Sequence, residues 1–141
     1  MPERAPLDVT AADGIDEAGL RRLCQLKTGA LIEASVGLAL ALALPPAGTA
    51  VALRAYAAEV GLLFQIVDDV LDATGTDAVL GKRAGADEAH GKRTHVTVLG
   101  LDRARALAED THGRALAALE AVPGDTAALR ALADQVARRD R

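Results

Sequence analysis

A chain of 141 residues, half of them apolar, is at most one domain and is long enough for a core of its own. A formal charge of −4, with Tyr56 and Phe64 as the only aromatic residues, leaves out the basic stripe and stacking rings that nucleic-acid binding uses. The lone cysteine, Cys24, excludes an internal disulfide and suits a reducing cytoplasm.

In chain order, residues 1–14 hold Pro2, Pro6, Asp8, Asp13 and Gly14 with no period, and read as a loose leader. Its acids and its lack of an apolar segment do not fit a signal peptide. Asp16 suits a helix cap, and Leu20, Leu23, Cys24, Lys27, Leu31 and Leu38 continue one helix from it. The richest apolar stretch, Val36 to Leu44, is too short to span a bilayer and stops at Pro45-Pro46, so a soluble rather than integral membrane chain is expected. Thr49 can cap the next helix. From Val51 to Ala73 that helix has almost no charge and reads as buried on every face. A turn over 73–77 and a Gly-rich basic loop over 81–94 follow. Gly100 breaks the chain, Asp102 opens a helix to about Ala121, and Pro123-Gly124 turns it. Asp125 can cap a final helix to Arg138. The composition, rich in Ala, Leu, Arg and Glu, predicts an all-α chain.

The buried helix ends in Gln65-Ile66-Val67-Asp68-Asp69-Val70-Leu71-Asp72. At 3.6 residues per turn Asp68 and Asp72 stack on one face, with Asp69 about 100° away. Carboxylates about 5 Å apart repel by roughly 3 kcal/mol at an effective dielectric of 20, so an apolar setting demands proton uptake or a multivalent cation. Hard oxygen ligands of this charge suit magnesium bound together with phosphates. The bland alternative is a solvated helix end. Gln65, three residues before Asp68, adds an amide on that face. The chain has three lysines against thirteen arginines, and each lysine adjoins glycine or threonine: Lys27-Thr28-Gly29, Gly81-Lys82-Arg83 and Gly91-Lys92-Arg93-Thr94. A lysine retained in an Arg-rich chain, beside glycine, suits a compact anion site. Neither later lysine fits a Walker loop: Ala86 stands where Gly91-Lys92 would need glycine and Thr76 where Gly81-Lys82 would. His90, His95 and His112 lack ligand spacing and read as loop or helix-surface histidines. Cys24 reads as a small core residue, and the basic end at 138–141 as a solvated helix terminus.

Those same segments resemble a known family. Lys27-Thr28-Gly29-Ala30-Leu31-Ile32, the run from Gly61 to Asp72, Leu80-Gly81-Lys82-Arg83-Ala84-Gly85-Ala86-Asp87 and Gly91-Lys92-Arg93-Thr94 look like the trans-type polyprenyl diphosphate synthases, nearest to bacterial farnesyl and geranylgeranyl diphosphate synthases. The resemblance implies a helical bundle of the isoprenoid synthase type, of which residues 15–141 would supply the C-terminal half. It implies a magnesium site on Asp68, Asp69 and Asp72, with Asp68 the foremost ligand. Lys27 and Lys82, helped by Lys92 and Asp87, would hold an allylic diphosphate, and Thr28 and Gln65 would set dipoles near the allylic cation. The implied reaction condenses that diphosphate with isopentenyl diphosphate in the cytoplasm. The family's first aspartate-rich motif and its isopentenyl diphosphate site have no counterpart here. The expectation is therefore a chain inactive by itself, completed by a partner polypeptide or a longer reading frame, or self-associated. The alternative is a non-catalytic diphosphate-binding or regulatory subunit of a full-length synthase.

Overall fold

A computed structural model describes residues 16–75 and 93–139. Six α-helices make up the described residues: α1 (Glu17–Cys24), α2 (Ala30–Ala43), α3 (Ala47–Thr74), α4 (His95–Leu99), α5 (Leu101–Leu119) and α6 (Ala127–Ala137). No strand occurs among them, in accord with the all-α expectation.

Asp16 caps α1 as expected, its Oδ1 accepting the Gly19 N–H at 2.9 Å. The single helix expected from Asp16 to the proline pair is instead interrupted: Gln25–Gly29 forms one π-helical turn between α1 and α2. A π turn inserts one extra residue per turn, so side chains beyond it are re-aimed around the axis. Leu44 closes α2 in the left-handed region at φ 46°, and Pro45 prevents continuation.

Helix α3 starts earlier than expected, with Pro46 at its cap and Thr49 already inside its first turn. It is the hub, with every other helix packed against it and the most extensive pairing made to α5. One core cluster joins Tyr56 and Val60 of α3 to Ala115 and Leu119 of α5 and Ala133 of α6; a second joins Cys24 of α1 to Leu62 and Ile66 of α3. Tyr56 donates its hydroxyl to the Leu129 carbonyl at 2.7 Å, and burial raises its pKa above the ordinary 10.0. The expectation of burial on all faces holds for the stretch from Val60 to Leu63 and fails earlier, where Val51, Arg54 and Ala55 are exposed. By length and composition alone α3 could cross a membrane, yet half of that apolar window is buried inside this fold.

Helix α4 was not anticipated. Thr94 caps it reciprocally with Thr97, each hydroxyl meeting the other residue's backbone N–H at 3.1 and 2.8 Å. Gly100 at φ 85° then turns the chain into α5. Asp125 acts near its expected place, accepting the Ala127 N–H at 2.8 Å, although the cap residue of α6 is Thr126.

Candidate functional site

The acids at the end of α3 fall on different sides of it. Asp69 points inward and is 4% exposed, whereas Asp68 is half-buried and Asp72 exposed. The 100° offset of Asp69 from its two neighbours is the reason.

Asp69 is held by protein donors. His95 gives its backbone N–H and its ring Nδ1–H to the same carboxylate oxygen, at 2.9 and 2.7 Å. A carboxylate has no proton to return, so Nδ1 carries it. Gln65 donates its amide to the other oxygen at 3.3 Å, and Thr28 donates its hydroxyl to the Gln65 carbonyl, also at 3.3 Å. A continuous polar row thus runs from the π turn across α3 to the start of α4: Thr28, Gln65, Asp69, His95. At 1% exposure, His95 is not the surface or loop histidine that its spacing suggested. Its sequence carried one usable signal: it follows Thr94, the cap that orients the first N–H groups of α4.

Two expectations change here. Gln65 was placed beside Asp68 and instead bonds Asp69 one position further on, which is the better-aligned pair on a helix. Asp69 needs no cation for compensation, because a charged carboxylate can be satisfied by several well-aimed donors. Its burial, with Oδ2 taking both His95 bonds and Oδ1 the Gln65 bond, makes Asp69 the least accessible of the three acids to a metal ion.

Asp68 also has a partner. Arg139, just past α6, donates Nη2–H to its Oδ1 at 2.6 Å and lays its guanidinium 4.5 Å from the centroid of the Phe64 ring. The basic end was expected to be merely solvated, and at Arg139 it is not.

Lys27 lies in the π turn next to Thr28, so the fold brings that backbone segment against α3. The close approach comes from two glycines: a Cβ added at Gly61 would stand 3.0 Å from the Gly29 Cα. Lys82, Lys92 and Asp87 lie outside the described residues. Among the described residues no three metal-ligating side chains converge. Asp68 and Asp72, separated by one turn and about 6 Å along the axis, nevertheless fit magnesium, which commonly takes one or two carboxylates and completes its shell with phosphate oxygens and water.

The family model for polyprenyl synthetase matches residues 5–132. The farnesyl diphosphate synthase of Escherichia coli K12 is 43% identical over 126 residues, covering 86% of this chain and 42% of that protein. The chloroplastic geranylgeranyl pyrophosphate synthase 11 of Arabidopsis thaliana is 41% identical over 128 residues, covering 88% of this chain and 36% of that protein. The corresponding chloroplastic enzyme of Catharanthus roseus is 40% identical over 133 residues. This chain belongs to the polyprenyl synthetase family, a family of prenyltransferases with all-α architecture. It spans 42% or less of the length of these relatives.

Proposed function

We propose that this chain forms one wall of a prenyl-transfer site that joins an allylic diphosphate to isopentenyl diphosphate in isoprenoid synthesis. The observation that carries the reading is the side-by-side placement of two features on α3. The solvent-reachable pair Asp68 and Asp72 lies next to the ordered row Thr28–Gln65–Asp69, within a family match covering residues 5–132. Magnesium, held by Asp68 and Asp72 and closed by diphosphate oxygens, would supply Lewis-acid neutralisation of the departing pyrophosphate. The chain's own residues do the rest. Lys27 and Lys82, with Lys92, bind the diphosphate as compact cations. Thr28 and Gln65 present preorganised dipoles to the developing positive charge of the allyl group, and Asp69 holds Gln65 in place.

The relatives' names place them in farnesyl and geranylgeranyl diphosphate synthesis, and this chain corresponds to less than half of each. In our reading it turns over only when the remaining helices are supplied, by its own continuation or by another cytoplasmic chain. A non-catalytic diphosphate-binding or regulatory subunit of a full-length synthase is the second reading. Calorimetry with magnesium and pyrophosphate tests the site: Asp68→Ala should weaken binding at least tenfold, roughly the 1.4 kcal/mol of one charged contact, and leave the melting temperature nearly unchanged. Unaltered binding would remove Asp68 from the site. Condensation of geranyl and isopentenyl diphosphates, assayed with and without a chain carrying the complementary half of a relative, separates enzyme from subunit.

A further inference from the structure

We propose that Arg139 is a built-in cation that occupies Asp68 until a divalent ion displaces it. The inference rests on the reading of Asp68 as a ligand of the magnesium site. Arg139 and Asp68 are 71 positions apart, so their contact is made only by the packing of α6 against α3. Phe64 and Asp68 are four residues apart on α3, hence on one stripe, and the guanidinium meets both: its carbon lies 4.5 Å from the ring centroid and its Nη2 2.6 Å from Oδ1. This is a seat shaped for a flat cation rather than a chance surface encounter.

The seat is also reversible. The two side chains remain 34% and 43% exposed, so solvent and ions reach the pair, and Arg139 lies one residue beyond Arg138, the cap of α6, where its replacement disturbs no hydrogen bond inside the helix. A guanidinium N–H on Oδ1 and a metal ion on the same oxygen compete for the same lone pairs, and the two positive charges repel at that distance. Entry of the divalent ion on Oδ1 therefore displaces Arg139, while its return compensates Asp68 once the ion has gone. Arg139 thereby sets the concentration at which the site loads.

The test uses manganese(II) as a paramagnetic stand-in for magnesium. Phe64 is the only phenylalanine in the chain, so its ring proton resonances report nearby ion binding without ambiguity. Arg139→Gln should lower the manganese midpoint by about two- to fivefold, the range an exposed ion pair spans. Arg138→Gln, the same charge change one residue away, should leave the midpoint where it was. Asp68→Asn should raise it, and in that background Arg139→Gln should have no effect. An unchanged or raised midpoint in Arg139→Gln, or an equal drop in Arg138→Gln, overturns the displacement while Asp68 keeps its role. If Asp68→Asn leaves the midpoint unchanged, the ligand reading itself fails and takes this inference with it.

Discussion

Asp69 and His95 show how a single buried acid is made tolerable. A carboxylate 4% exposed would cost several kcal/mol if left without donors. Here a backbone N–H, an imidazole N–H and an amide converge on it. Removing the ring donor leaves the acid inside with one bond fewer, so His95→Phe should destabilise the chain by about 1–3 kcal/mol in urea melts. Asp69→Asn removes the charge that the ring serves, and the double variant should cost clearly less than the two single changes together. Strict additivity would mean that the pair is not coupled. The acids were legible from residue order, since Asp-Asp-x-x-Asp after apolar turns is conspicuous. The identity of their partners was not, because His95 is 26 positions from Asp69 and no local pattern links them.

At the scale of elements, the decisive feature is the π turn pressed against α3. Thr28 meets Gln65 only because Gly29 and Gly61 let two backbones approach closely. Gly61→Ala would force its Cβ to 3.0 Å from a backbone carbon, which cannot rotate away. Alanine improves helix propensity by about 1 kcal/mol, but overpacking costs about 1–3 kcal/mol, so the net change should be destabilising. Gly113→Ala in α5 is the matching control, with nothing within 4 Å of the added Cβ. It should stabilise by about 0.5–1 kcal/mol. Thermal melts giving the same sign at both glycines would contradict a tight contact at Gly61. Helix on either side of this turn was readable from apolar spacing and the Asp16 cap, though as one continuous helix. The π turn was not, because its sequence Gln25–Gly29 is ordinary helix-compatible sequence and the extra residue is imposed by packing.

At the scale of the whole molecule, α2 is the anomaly. Its sequence is apolar nearly all round, yet among the described residues its main packing is on α3 and the π turn, and Leu40 is the one residue of the helix that is buried. Leu31, Leu38, Leu42 and Leu44 are 72%, 64%, 78% and 83% exposed. Exposed leucines gathered on one helix drive association in water. We expect the chain to sediment above monomer mass at micromolar concentration, and Leu38→Glu with Leu42→Glu to shift it toward monomer while preserving its melting temperature. A wild-type chain that sediments as a clean monomer would show that this surface needs no cover.

What the amino-acid order determined by itself is what depends on near neighbours. It set the helical class through composition and period, the cap at Asp16, the breaks at Pro45 and Gly100, and the stacking of Asp68 over Asp72 by helical geometry. The packed structure alone decided which acid is buried, what compensates it, and where the basic end lies. Those outcomes depend on residues far apart in the chain, His95 and Arg139 among them, whose positions follow from how α4 and α6 settle on α3. Local spacing carries no information about such distances, because they are set by the burial of side chains on several helices at once.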